Sequence, residues 1–299
     1  MTNYKVSIII PVYNSEDYVR ETFESVKNQS FDFEDLEIII INDKSTDGSL
    51  DILKEFDSEY SNVYLYDSPE GKKGPGISRN LGISKSTADY IIFLDSDDIM
   101  NPNYVETVYN EISQNKVDLV KTSFCVKLGE ITFPVTNEIG RVEVSHDDIS
   151  DLIDFNYLEP WCTIYRRDYL IEENIKFIEK FNIHESFLFA IETIAKAKNG
   201  IILRDDIQGQ IWRIREDGLH NRTVNNQDLE YTMHCISEML LLVASENHPP
   251  HCIEKLSDFI LSLWSFDLVT SKEPAEIING FTFAKGFKAD LESIGNAFS

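Results

Sequence analysis

The sequence predicts an α/β fold whose first half is a parallel sheet with helices on both faces. Three observations predict it. Oily, β-branched runs of strand length recur between residues 6 and 94, and segments with helical spacing separate them. The runs do not alternate with polar residues, which marks strands buried on both faces. Residues capable of chemistry collect where three of the runs end: Pro11, Tyr13 and Asn14 after the first, Asn42 and Asp43 after the second, Asp95, Asp97 and Asp98 after the fourth. Ligands of open parallel sheets sit at those carboxyl ends. Turns formed independently would have no reason to agree on one edge.

Each element follows in order. VSIIIPV (6–12) is the first central strand. Val19, Phe23 and Val26 then recur at helical spacing, with Asn14 or Ser15 as cap and Glu16 and Asp17 in the first turn. LEIIIIND (36–43) is the second strand, Ser49 caps a helix through Phe56, and NVYLYD (62–67) is the third strand. PGISRNLGISKS (75–86) is a helix, YIIFLDSDD closes the fourth strand, and Asn101 with Pro102 starts another helix. From about residue 118 the rhythm changes. DLVKTSF and EITFPVT read as sheet around a turn at LGE, residues 146–155 as a short acidic helix, and WCTIYRRDYL and GIILRDD…GQIWRI as further strands around a helix near 184–197. Beyond Thr223 two amphipathic runs predict a helical C-terminal region over 223–299, after a domain over 1–222. That region is expected to serve acceptor choice or self-association as a homo-oligomer.

Length and charge bound the function. The chain has 299 residues, with 27 Lys plus Arg against 52 Asp plus Glu, a formal net charge of −25. Such a surface repels nucleic acid and anionic membranes, so a phosphate-bearing ligand needs a metal ion or placed cations. No apolar run approaches the length of a membrane span, and the start of the chain does not read as a signal peptide. Four cysteines without CxxC spacing predict free thiols in a reducing compartment. A cytoplasmic location is expected, free or peripheral at the inner membrane face. The missing GxGxxG after the first strand sets aside a dinucleotide-binding dehydrogenase.

Four motifs in order, IIIPVYNSEDYVRETFESVKNQS, IINDKSTDGS, GPGISRNLG and IIFLDSDD, resemble glycosyltransferase family 2. A looser match runs through PWCTIYRRDYL and IHESFLF to about residue 215. The resemblance implies the GT-A fold, a Rossmann-like mixed sheet, and an inverting transfer of sugar from a nucleotide diphosphate. The donor expected is a UDP-sugar and the acceptor a hydroxyl of a glycan, lipid-linked or protein molecule, in cell-surface glycan biosynthesis. It further implies that the Asp-x-Asp element holds Mn²⁺ or Mg²⁺ under the diphosphate, where a hard cation neutralises the leaving group. Asp97 is then the main metal ligand, Asp95 bonds the ribose or shares the metal, and Asp98 supports them or simply turns the chain. His220 is either a further ligand or an exposed loop residue.

Nucleoside recognition falls to Pro11, Tyr13, Glu16 and Asp43, with Tyr13 against the base and Asp43 accepting the uracil imide N–H. For Tyr13 and Glu16 helix-entry packing is the competing reading. Lys44 stands where the family commonly has glycine. Arg79, one turn into a helix whose N-terminus attracts phosphate, faces the diphosphate or Asp97, or is a solvated cation; Lys72 and Lys73 read as a solvated loop, and Arg213 and Arg215 as aids to phosphate binding. Trp161 forms an acceptor pocket or packs in the core. The base departs from the pattern: in HESFLF, Ser186 occupies the place of the usual Asp, and a serine cannot take a proton at neutral pH. Glu185 is the expected base, with His184 next. The same departure supports a second reading, a non-catalytic GT-A-like domain that binds sugar nucleotide or scaffolds another transferase.

Overall fold

A computed structural model describes residues 4–135, 139–145, 149, 152, 159–179, 185–215, 241–246, 248–256 and 258. The elements are β1 (Val6–Val12), α1 (Val19–Lys27), a 3₁₀ turn (Phe33–Asp35), β2 (Leu36–Asn42), α2 (Ser49–Glu59), β3 (Val63–Asp67), α3 (Pro75–Lys85), β4 (Tyr90–Phe93), β5 (Ile99–Met100), α4 (Tyr104–Asn115), β6 (Leu119–Leu128), β7 (Ile131–Val135), β8 (Arg141–Val144), β9 (Thr163–Arg166), α5 (Arg167–Glu172), α6 (Glu185–Ala195) and β10 (Ile201–Arg213).

They form one mixed sheet in the order β3-β2-β1-β4-β9-β6-β10-β5, with β7 beside β6 and β8 beside β10. β1 lies parallel between β2 and β4, and β3 is parallel to β2. β9 then runs antiparallel to both β4 and β6. The parallel half ends there, and this reversal lets residues near 160 return to the edge where β4 ends.

The unbroken apolar runs have a direct cause. Alternate residues feed two cores: Ile8, Ile10, Ile38, Ile40 and Ile92 pack with Phe23 of α1, Leu53 of α2 and Val108 of α4. Ile9, Ile39, Ile41, Ile91 and Phe93 pack on the other face with Ile83 of α3 and Phe189 and Ile191 of α6. Each such side chain contributes about 1.5–3 kcal/mol by leaving water, so both faces hold the register. Val243, Cys252 and Leu256, from helical stretches at 241–245 and 250–256, join the second core. These C-terminal helical turns therefore pack on the α/β unit. The rest of 223–299, and most of the helix expected over 146–155, lie outside the described residues.

Three local expectations are corrected. α1 begins at Val19 without a side-chain cap, because the Ser15 carbonyl accepts from Tyr18 and Val19 N–H. Ser49 is the first residue of α2 and not its cap; its hydroxyl accepts from Ser15 N–H at 2.8 Å. The two strands expected over 201–214 are one 13-residue strand, β10, whose register against β6 shifts at Arg204/Gln208 and Gln208/Ile211. Bulges there absorb the polar residues that interrupt the apolar pattern. No helix among the described residues is long and apolar enough to cross a membrane.

Candidate active site at the carboxyl edge of the sheet

The loops after β1 and β2 interlock. Asn14, in the left-handed region at φ 47°, accepts Thr46 N–H on its Oδ1 at 2.8 Å. The Glu16 carboxylate, expected at the nucleoside, instead accepts Gly48 N–H at 2.5 Å and closes the start of α2. Pro11 is buried within β1, whereas Tyr13 is 45% exposed, with the Lys73 ammonium 3.6 Å from its ring centroid. Lys72 is bound to Glu179, so neither lysine is merely solvated. Lys44 takes φ 62°, the conformation for which glycine is favoured. Its ammonium donates to the Pro69 and Lys72 carbonyls at 2.9 and 3.0 Å, which offsets the backbone cost and ties down the loop before α3.

Asp43 follows β2 and is 4% exposed. Its Oδ2 accepts Gly74 N–H at 2.8 Å. Its Oδ1 is buried and has no hydrogen-bond partner among the described residues. A buried carboxylate oxygen left bare costs about 1–3 kcal/mol, which is the condition expected of an atom that meets a donor from outside the chain.

The end of β4 carries the other carboxylates. Asp95 Oδ1 accepts Arg79 Nη2 at 2.6 Å, and Arg79 Nη1 stands 3.5 Å from Glu185 Oε1. Arg79 is 5% exposed. It thus joins Asp95 to α6 and is not a solvated cation. Asp97 pairs with Arg215 Nε at 2.9 Å. Burial, then the neighbouring Asp95 charge, pushes the Asp97 carboxyl up, while Arg215 and Arg213 oppose the rise. Asp98 is 2% exposed and accepts Arg213 N–H at 2.9 Å. Burial, with Asp97 and Asp95, holds its carboxyl well above the carboxylate range. Asp98 therefore joins the end of β10 to the end of β4. Arg213 and Arg215 both stack on Tyr18, 5.0 Å from its centroid. Thr22 Oγ1 braces the turn from below, 2.9 and 2.8 Å from the Ser96 and Asp98 carbonyls.

In the second half, Glu159 and Lys121 are residues that sequence reasoning missed, near the expected Glu185 and Ser186. Glu185 begins α6 and is 5% exposed. It sits close to the start of α3 because Gly76 has no side chain: a Cβ there would lie 3.3 Å from Glu185 Cγ and 3.2 Å from Phe177 Cβ. Glu159, just before β9, is partly buried. Burial pushes the Glu159 carboxyl up to about 7; Glu185 adds to the rise, and Ser186, Lys121 and Arg79 oppose it. Buried Lys121 is lowered to about 8 by desolvation; its ammonium donates to the Glu159 carbonyl at 2.7 Å. A lysine inside the apolar strand LVKTSFCVKL was the available signal. Trp161 packs edge-on against Phe124, centroids 4.8 Å apart, with Trp212 at 6.4 Å.

A family profile described as Glycosyl transferase family 2 matches residues 7–173, more than half of the chain. The chain belongs to glycosyltransferase family 2. Among curated relatives, it is 32% identical to a poly(ribitol-phosphate) beta-glucosyltransferase of Bacillus spizizenii, over 72% of this chain and 33% of that protein. It is 31% identical to the poly(ribitol-phosphate) beta-N-acetylglucosaminyltransferase TarP of Staphylococcus aureus, over 67% of this chain and 61% of TarP. The chain thus spans about a third of the first relative and three-fifths of the second. Among solved structures, S. aureus TarS 1-349 in complex with UDP-GlcNAc aligns with TM-score 0.69 at 21% identity, covering 96% of this chain and 92% of that one. That likeness establishes the GT-A fold.

Within this glycosyltransferase family 2 chain, His184 and His220 lie outside the described residues. Among the described residues no three His, Cys, Asp or Glu side chains converge as a metal site. Asp95 and Asp97 nevertheless fit a divalent cation. They are neighbouring carboxylates; burial first and the Asp95 charge second raise Asp97, and each already has an arginine counter-charge, Arg79 on Asp95 and Arg215 on Asp97. Hard cations of this kind take one or two carboxylates together with phosphate oxygens of a ligand.

Proposed function

We propose that the chain transfers a sugar from a UDP-sugar to an acceptor hydroxyl, with inversion at the anomeric carbon. The observation that carries the uridine reading is Asp43, whose buried Oδ1 has no partner among the described residues and which lies at the same edge as exposed Tyr13. A uracil ring against Tyr13 would supply its imide N–H to that oxygen. The diphosphate then lies toward the start of α3 and Asp97, where helix N–H groups and Arg215 favour negative charge. Asp97 and Asp95 would hold Mn²⁺ or Mg²⁺, which when bound supplies charge neutralisation for the departing diphosphate. Arg79 pairs with both Asp95 and Glu185, and Glu185, at the start of α6, would take the acceptor's proton. The names of the Bacillus and Staphylococcus relatives favour a hydroxyl-bearing phosphate polymer as acceptor, in cell-surface glycan synthesis.

Ser186 in the place of the usual Asp favours a second reading, a domain that binds sugar nucleotide without turnover. Both readings require UDP binding that depends on Asp97. Calorimetry with UDP should show affinity at least tenfold weaker (about 1.4 kcal/mol) in Asp97→Ala or with chelator. Equal affinity in all three states would remove the metal and diphosphate assignment. Release of UDP from a sugar donor then separates enzyme from binding module.

A further inference from the structure

We propose that Lys73 is a donor-binding residue that exchanges partners. Without nucleotide its ammonium covers the Tyr13 ring; with nucleotide the base takes that ring and the ammonium pairs with a diphosphate oxygen. The proposal rests on the uridine reading and adds to it a cation that recognises the phosphate end. Three observations support it.

The first is where the ammonium stands. Lys73 Nζ lies over the Tyr13 ring, 3.6 Å from its centroid. Tyr13 is 45% exposed, and a cation on an exposed ring is held weakly. A nucleobase stacks on an aromatic ring through its own π-face, so base and ammonium compete for the same surface. The second is the contrast between backbone and side chain. Lys44 donates to the Pro69 and Lys72 carbonyls at 2.9 and 3.0 Å, Lys72 pairs with Glu179, and Asp43 Oδ2 accepts Gly74 N–H at 2.8 Å. Both neighbours of Lys73 are therefore anchored. The contact that its own ammonium makes among the described residues is the Tyr13 ring.

The third is direction. Lys73 and Gly74 lead straight into α3, and Gly74 makes the turn at φ 133°, a conformation that glycine adopts without strain. Phosphate is attracted to the N–H groups at such a helix start. The loop that carries Lys73 thus runs from the bare Asp43 Oδ1, next to the Gly74 bond, to the place proposed for the diphosphate. A surface of net charge −25 repels a nucleotide, so cations at this edge count. Lys44 is taken up by carbonyls, Lys72 by Glu179, Arg79 by Asp95 and Glu185, and Arg215 by Asp97. Lys73 rests on a ring instead of an oxygen. A charge-assisted bond to phosphate is stronger than an exposed cation–π contact, so arrival of the nucleotide favours the exchange.

The test compares UDP, by calorimetry, with uridine, by ligand-observed NMR, on the 299-residue chain with Mg²⁺. Lys73→Ala should weaken UDP binding by at least about fivefold, the order expected of one charge-assisted bond. Uridine has no phosphate to lose and no longer displaces an ammonium, so its affinity should stay the same or rise. Lys73→Arg keeps a cation and should hold UDP within about threefold of the unmodified chain. A second measurement follows the side chain itself. Dimethylation of the lysines with ¹³C keeps their charge. The Lys73 signal, identified by its absence from the Lys73→Arg protein, should be shifted upfield by the Tyr13 ring and should return toward the other lysines when UDP is added. Unchanged UDP affinity in Lys73→Ala, equal losses of UDP and uridine, or a Lys73 signal unmoved at saturating UDP would each overturn the proposal. Failure of the uridine reading shows separately: the unmodified chain would bind neither UDP nor uridine, and the role of Lys73 would fall with it.

Discussion

Strand β2 carries a buried carboxylate near each end, and the two are treated differently. Glu37, near the amino end, is 3% exposed and accepts from Ser7 Oγ at 2.5 Å, Thr87 N–H at 2.8 Å and Thr87 Oγ1 at 2.7 Å. Asp43, just past the carboxyl end, is as deeply buried, accepts only Gly74 N–H, and keeps Oδ1 bare among the described residues. The same chemical group is a completed bracket at one edge and an incomplete one at the other. Buried polar atoms are normally satisfied, so the bare oxygen marks the edge that meets a ligand, and the satisfied carboxylate marks the edge that stabilises the fold.

The largest expected effect is at the amino edge. Glu37→Ala leaves the Ser7 and Thr87 donors buried without an acceptor, and should cost about 3 kcal/mol in urea unfolding while leaving the UDP affinity of the folded protein unchanged. A loss of UDP affinity without loss of stability would erase the contrast between the edges.

Glu159 extends the contrast to the second half of the sheet. Its carboxyl is raised from 4.5 to about 7 in the folded chain. The folded state therefore binds the proton more tightly than the unfolded one, and stability falls as pH rises through that window. Glu159→Gln removes this dependence. The variant should gain stability relative to the unmodified chain on going from pH 4.5 to pH 8, on the order of 2 kcal/mol. A constant gap across that range would mean that folding does not raise the Glu159 carboxyl.

The smallest effect belongs to Lys44. Lys44→Gly relieves the left-handed backbone at φ 62° but removes the bonds to the Pro69 and Lys72 carbonyls. The two changes oppose, and unfolding free energy should move by less than about 1 kcal/mol. A much larger loss would show that the loop before α3 depends on that ammonium.

The two edges also explain what was legible in the sequence. The parallel half was readable because its strands feed two cores at once, which leaves continuous apolar runs that end in Asn42, Asp43, Asp95 and Asp97. Position along a strand is enough to place those side chains at the carboxyl edge. β10 was not readable as one strand, because Asp205, Asp206 and Gly209 break its pattern and the bulges that accommodate them depend on β6. The pairings of the site were hidden for a related reason. Arg79 with Glu185, and Asp98 with Arg213, join residues more than 100 positions apart. Nothing local distinguishes Arg79 from a solvated helix cation, Glu16 from a nucleoside contact, or Glu159 from a loop residue before Pro160.

The central claim is that the bare oxygen of Asp43 is a uridine contact. The most direct measurement is calorimetric titration of UDP into the unmodified chain and Asp43→Asn. Asparagine can keep the bond from Gly74 N–H through its amide oxygen, but it presents an N–H₂ donor where the bare oxygen stood. The account predicts at least tenfold weaker UDP binding, about 1.4 kcal/mol, with thermal stability little changed. UDP affinity equal in the two proteins would contradict it and would place nucleoside recognition away from the end of β2.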